Sequence, residues 1–210
     1  CRVNWGLIRH TLEMMADSNR RGANTTCDFF PYLASGVSGG IPLPRWASPL
    51  YIPREEVMSM LKNPEIREKI KEQVRLGTRL GPEARSYEPV DSMDDVVVTN
   101  FPDHPESQGK SVAELARIKG IDDPYEFYLD IVMRVRVVAF NLWEEDIKTL
   151  VESPLAMIGT DSSFMDDVNQ PNIHPRGYGS FPKILGRYVR DKKLISWEEA
   201  VMKLSSRPHS

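Results

Sequence analysis

Helix and strand signals alternate at both ends of this chain, and a long proline-containing stretch lies between the two ends. Alternating helices and strands bury their apolar faces best in a parallel α/β sheet or barrel, so the pattern predicts an α/β fold. At the N-terminal end Leu7, Ile8, Leu12 and Met15 recur at three- and four-residue spacing, which predicts a helix over 4–21 with Gly22 at its C-cap. A short strand is expected over 23–29, running into Asp28, Phe29, Phe30, Pro31 and Tyr32. At the other end, 143–152 reads as a helix with acidic residues in its first turn. The apolar run 155–159 reads as a strand leading into Thr160, Asp161, Ser162 and Ser163. A polar loop through Arg176 should precede a helix over 181–191, and Ser196 with Glu199 forms a capping box for a last helix over 197–204.

The connection over 34–93 is too long for a plain loop and reads as an inserted subdomain. Within it a charged helical block spans 54–76 and is split at Asn63-Pro64, where Asn caps and Pro is tolerated in the first turn. Further elements follow: a strand over 94–100 carrying Val96, Val97 and Val98, a helix opened by the Ser111/Glu114 capping box, another opened by Asp123-Pro124, and a strand over 135–140. The expected organisation is therefore a barrel or sheet segment at 1–33, an insertion at 34–93 that extends at most to about 140, and a second segment at 94–210.

Lys plus Arg number 27 and Asp plus Glu number 30, for a formal charge of −3. That balance argues against a general nucleic-acid binder, which carries a basic excess. No window approaches the roughly 18 uninterrupted apolar residues of a membrane span. The chain opens on Cys1 rather than Met, which leads us to expect residues upstream. Its two cysteines make no disulfide framework, and a reducing, cytoplasmic setting is expected. The oligomeric state is not legible.

Asp161 is the residue of greatest chemical interest, because it follows an apolar strand at the end where parallel α/β proteins place their sites. A carboxylate there can hold a metal, act as a general base or bind an amine; it can equally cap the next turn. In the loop beyond, Arg176 offers a planar fork for a carboxylate or phosphate, and His174 a proton or a metal ligand, against the alternative of a solvated loop. Asp28 and Tyr32 flank the other strand end, although the aromatic cluster Phe29, Phe30 and Tyr32 suits a core as well as a rim. Asp103-His104-Pro105 has the look of a ligand-bearing turn, but a lone His there is more often structural. Ser38-Gly39-Gly40 lacks the G-K-[ST] of a phosphate loop, and no G-x-S-x-G elbow surrounds a serine. Asp166-Asp167 suits a solvated face. The four histidines are scattered, with none of the clustering that a self-contained zinc site requires.

A longer pattern is more specific. Asn4-Trp5-Gly6, then Asp28-Phe29-Phe30-Pro31-Tyr32, then Ile158-Gly159-Thr160-Asp161, then HPRGYGSFPKILGRYVRD over 174–191, and finally SWEEAVMKLSSRP over 196–208 occur in this order. The string resembles the D-aminoacylase family, the N-acyl-D-amino-acid deacylases of the amidohydrolase superfamily, and is densest over 155–208. The resemblance implies a partial (β/α)8 TIM barrel with a small inserted subdomain, and metal-dependent hydrolysis of the amide bond of N-acyl-D-amino acids. It implies zinc as cofactor and a small N-acyl-amino acid as partner, with no nucleic acid or membrane. Asp161 matches the family's proton-accepting Asp at the eighth strand, and Arg176 of the HPR motif matches the Arg that pairs with the substrate carboxylate. Tyr32 and His174 match as further substrate-binding residues.

Two positions depart from the family pattern. Ser162 stands where the family usually has Gly, and Phe30 where it usually has Tyr. The family's metal-binding His and Cys residues belong to earlier strands and do not map onto this sequence, so the isolated chain is expected to be inactive and to expose unpaired strand edges. Two other readings stay open at this point: a non-catalytic scaffold or interaction module, and an amidohydrolase acting on a cyclic amide or ureide.

Overall fold

The structure, a computed structural model, describes residues 4–36, 40, 42–76, 90–162 and 174–207. Cys1, Ser38, Gly39, Ser163, Asp166, Asp167 and His209 lie outside the described residues. In chain order the elements are α1 (Ile8–Arg20), β1 (Cys27–Phe29), α2 (Arg54–Met60), α3 (Pro64–Leu76), β2 (Val96–Asn100), α4 (Val112–Ile118), α5 (Pro124–Ile131), β3 (Arg136–Ala139), α6 (Glu144–Glu152), β4 (Ala156–Ile158), α7 (Arg176–Lys183) and α8 (Trp197–Leu204). The chain divides into two units. One is Ala34–Asn141; the other joins Asn4–Leu33 to Leu142–Ser210.

In the discontinuous unit β1 pairs with β4 in parallel, Cys27 opposite Ala156, Asp28 opposite Met157 and Phe29 opposite Ile158. The ladder extends at both ends, from the Cys27 amide to the Leu155 carbonyl at 3.0 Å and from the Gly159 amide to the Phe29 carbonyl at 2.9 Å. Ile147 and Val151 of α6, Ile158 of β4 and Ala200 of α8 bury together with Ile184, Tyr188 and Val189 to form the core. The Trp5-Gly6 motif docks on the start of α6. Trp5 stacks on Trp143 with ring centroids 5.7 Å apart, and the Gly6 amide donates to both carboxylate oxygens of Asp146 at 3.0 and 3.1 Å. Gly6 has φ +85°, which a side chain would strain.

The helix expected over 181–191 starts earlier, at Arg176, and changes character along its length. Pro182 sits inside α7, and the wider i→i+5 spacing of a π-helix runs directly on from it over Ile184–Asp191. Pro brings no amide and crowds the carbonyl a turn behind it, which pushes the following ladder off the α register. The π segment turns Tyr188 fully into the core, where its hydroxyl reaches Glu144 Oε2 at 3.4 Å. Burial pushes the Tyr188 phenol well above its ordinary value.

The Ala34–Asn141 unit has its own core, built on Val96, Val98, Val137 and Ala139 of an antiparallel β2/β3 pair. The parallel pairing expected from the alternation therefore holds for β1/β4 but not here. Val90 and Met93 pack in the same core as Phe101, Val112, Leu115 and Phe127, and Ala34–Asn141 forms one unit. Arg67 bridges Glu126 and Asp130 at 2.6 Å each, Lys71 meets Glu126 at 2.8 Å, and Arg75 meets Asp123 at 2.6 Å, which fastens α3 to α5. The expected caps form: Asn63 accepts from Glu65, Ser111 from Glu114, Asp123 from Tyr125 and, in the other unit, Ser196 from Glu199. His104 is engaged locally, by Glu106 at 3.2 Å and the Phe101 ring edge at 5.0 Å.

Beneath the β1/β4 pair, Lys203 of α8 is entirely buried. Its ammonium donates to the carbonyls of Ser153 and of Ala156, the latter at 2.9 Å, and pins α8 to the foot of β4. Burial lowers its pKa to about 8, with the Arg207 charge adding to the effect. A lysine whose folded pKa is depressed binds fewer protons folded than unfolded once the pH passes the folded value, so folding stability must then rise with pH. Between pH 8 and 9 Lys203 should contribute a gain of about 1 kcal/mol in chemical denaturation, read as the difference between the natural protein and Lys203→Met, because the Cys27 thiol, raised by burial, opposes it in the same window in both. Parallel pH profiles of the two proteins would show that Lys203 stays charged as readily as in water.

Candidate active site

The C-terminal ends of β1 and β4 lie side by side because the strands run parallel, and the motif residues emerge there. Gly159 leaves room at this point: a Cβ would stand 2.4 Å from Asp28 Oδ2, so the absence of a side chain lets the Asp28 carboxylate lie across β4. Two residues on, Asp161 adopts a left-handed backbone with φ +46°. Asp is one of the few residues besides Gly that adopt that conformation readily.

Arg176 is the first residue of α7 rather than part of a loop. Its Nη1 lies 2.9 Å from Asp161 Oδ2, with Arg176 largely enclosed and Asp161 open to solvent at 64% exposure. Its Cζ lies 4.9 Å from the centroid of the Phe30 ring. The guanidinium is thus held on one side by a carboxylate and supported on the other by an aromatic face, a cation–π contact worth about 0.5–2 kcal/mol depending on desolvation. Phe30, which in sequence reads as a lost hydroxyl, is here the platform under Arg176.

His174 is buried, and it lies below the rim rather than on it. Its Nδ1 accepts from the Arg176 amide at 3.1 Å, which in the neutral ring assigns the proton to Nε2. Phe30 and Tyr32 meet the imidazole edge-on at 6.1 and 5.4 Å. Tyr32 packs on α7: its hydroxyl reaches the Pro175 carbonyl at 3.4 Å, and Lys183 Nζ lies 3.9 Å above its ring. Burial raises the Tyr32 pKa and lowers that of Lys183, where Arg187 pushes in the same direction. Ser162 lies against Gly177, where a Cβ would come within 2.8 Å of Ser162 Oγ. The glycines of the HPRGYG run therefore make room for Ser162 and Tyr32.

Asp161, Arg176, His174, Tyr32 and Asp28 thus gather around the ends of two strands. Phe30 and Lys183 join them without having been singled out as chemical. Phe30 was visible only as a departure from a pattern, and Lys183 had no signal beyond its place one helical turn beyond Gly179. A carboxylate beside a guanidinium can accept and return a proton and bind a carboxylate. Among the described residues no group of three or more His, Cys, Asp and Glu side chains is placed to hold a metal ion.

The chain has relatives of known activity. It is 32% identical over 127 residues to N-acyl-D-glutamate deacylase of Alcaligenes xylosoxydans xylosoxydans, a match covering 58% of this chain and 24% of the relative. It is 30% identical over 112 residues to D-aminoacylase of the same organism, covering 52% of this chain and 21% of that protein. The chain therefore spans about a quarter or less of the length of these curated relatives. Among solved structures it is similar to N-acyl-D-glutamate deacylase from Bordetella bronchiseptica complexed with zinc and a phosphonate inhibitor (TM-score 0.59, 24% identity, covering 97% of this chain and 32% of that one). A D-aminoacylase described as defining a subset of amidohydrolases gives a TM-score of 0.57 at 19% identity, again over 97% of this chain and 32% of that one. At those identities the structural likeness speaks for the fold. No family model matches the chain. The chain is thus similar in sequence to proteins named N-acyl-D-glutamate deacylase and D-aminoacylase, the resemblance that the order of its motifs implied.

Gly179 gives a test of the packing under this site. A Cβ there would stand 2.1 Å from the Tyr32 hydroxyl but an ordinary 3.5 Å from the ring carbon that carries it. Gly179→Ala should therefore cost about 1–2 kcal/mol in urea unfolding, the clash outweighing the gain in helix propensity. In a Tyr32→Phe background the same substitution should become neutral or stabilising by up to about 1 kcal/mol. An equal cost in both backgrounds would mean that Tyr32 does not pack on α7.

Proposed function

We propose that this chain supplies the proton-handling and carboxylate-binding half of a zinc-dependent amidohydrolase that cleaves N-acyl-D-amino acids to a carboxylate and the free D-amino acid. The observation that carries the reading is the Asp161–Arg176 pair, held at the ends of two parallel strands in a chain whose sequence relatives are deacylases. In this reading β1 and β4 are two neighbouring strands of a (β/α)8 barrel, which the structural likeness supports. The setting is cytoplasmic.

Zinc, when bound in such an enzyme, polarises the amide and lowers the pKa of its water to near 7. The described residues do not assemble ligands for it, so in this reading its ligands lie beyond the described residues, and the roles below belong to this chain alone. Asp161, exposed and at the strand end, accepts a proton from the attacking water and returns it to the leaving amine nitrogen. Arg176 binds the α-carboxylate of the substrate, which must compete with Asp161 for the guanidinium. Binding therefore frees the Asp161 carboxylate as it orients the substrate. His174 and Phe30 position Arg176, through the amide bond and the ring face, and Tyr32 closes the wall behind them. The Ser162 side chain is taken up against Gly177, so it gives no support to a cyclic amide or ureide in preference to an open-chain substrate.

The test requires a protein that also carries the preceding barrel strands. Asp161→Asn should lower kcat for N-acyl-D-amino acid hydrolysis by about 10²-fold or more. Turnover that is unchanged would remove Asp161 as the base. Arg176→Ala should raise KM about tenfold or more for substrates with a free carboxylate, and far less for amide-capped ones. An equal loss on both would assign Arg176 to holding Asp161 alone.

A further inference from the structure

The Ala34–Asn141 unit contains a cavity of about 440 Å³ that the deacylase reading does not use. Arg54, Arg134 and Arg136 line it together with the Asn100 amide, and no acidic side chain does so among the described residues. The backbone explains the convergence. β2 breaks register between Val98 and Asn100, and Asn100 pairs with Arg136 across that irregularity. Bulges of this kind bend a strand and re-aim its side chains.

Two of the guanidiniums are braced in place. Arg54 Nη2 donates to the Met133 carbonyl at 2.5 Å, a neutral acceptor that leaves its charge uncompensated. Arg134 is held by Asp103 at 3.0 Å and by the Asp130 carbonyl at 3.4 Å, and its Cζ lies 5.6 Å from the centroid of the Phe101 ring. Asp103 offsets one positive charge of the three. Arg54 and Arg136, both exposed, have no carboxylate partner among the described residues and line the same concave space, where their charges would attract an anion. Braced guanidiniums lose little freedom on binding, and their planar forks match the paired oxygens of phosphates and carboxylates. The cavity is within the roughly 300–1,000 Å³ of small-molecule sites.

We propose that this cavity binds a small, multiply charged oxyanion, a phosphate group or a dicarboxylate, gripped by Arg54, Arg134 and Arg136. The site lies wholly within one unit, and its residues take no part in the proposed deacylation.

The experiment is calorimetric titration of the full chain with inorganic phosphate and, separately, with malonate, at ionic strength held constant with sodium chloride. Saturable binding of at least one anion is expected; tighter phosphate binding assigns a phosphate ligand, tighter malonate binding a dicarboxylate. Arg136→Gln should weaken the binding about tenfold or more, with Arg136→Lys intermediate because it keeps the charge and loses the fork. Arg9→Gln, on α1, should leave the affinity unchanged. In the unsubstituted protein, NMR should show the Nε–H signals of Arg54, Arg134 and Arg136 moving with phosphate or malonate, a reading independent of how any variant folds. Failure of both anions to saturate, an Arg136→Gln affinity equal to the natural protein's, or arginine signals that stay still would each overturn the proposal.

Discussion

Three backbone pairings join Cys27–Phe29 to Ala156–Ile158, and the candidate site depends on them. They bring together two stretches that lie on either side of an independently packed unit. Because the pairing is parallel, Asp28, Phe30 and Tyr32 emerge at the same end as Gly159 and Asp161. Gly159 lets the Asp28 carboxylate lie over the second strand, and Lys203 fastens α8 below the same strand. Among the described residues this sheet has only these two strands, so each leaves one edge without a ladder partner.

Above the strand ends, the proposed chemistry reduces to a contest for one guanidinium. Arg176 is paired with Asp161 and supported by Phe30, and its amide is bonded to a buried His174. Partly exposed ion pairs contribute about 0–1 kcal/mol, so under the proposed function a substrate carboxylate with two oxygens would have little to displace. The enclosed side of Arg176 fixes where it points, and the exposed side of Asp161 leaves it able to meet water.

Much of this was legible in the sequence wherever a local rule decides the outcome. The caps at Asn63, Ser111, Asp123 and Ser196 follow from side chains that satisfy amides at a helix start, and the apolar run at 155–159 marked the strand. Asp161 and Arg176 were legible as residues, through strand-end position and motif order. Their pairing was not, because it is a contact made in three dimensions. The antiparallel β2/β3 pair was missed because periodicity shows that a strand exists and not which neighbour it takes. The sequence reading puts Arg176 in a polar loop, whereas α7 opens on it: Pro is suited to the entry of a helix, and the glycines make room for Tyr32 and Ser162.

The central claim is that Asp161 and Arg176 face the same substrate. A crystal structure of a longer protein that contains this chain, soaked with a phosphonate analogue of an N-acyl-D-amino acid, tests it most directly. The account predicts the analogue's carboxylate on the Arg176 guanidinium, and its phosphonate oxygen within hydrogen-bond reach of Asp161. An analogue bound with its carboxylate elsewhere, and the Asp161–Arg176 pair intact, would contradict it.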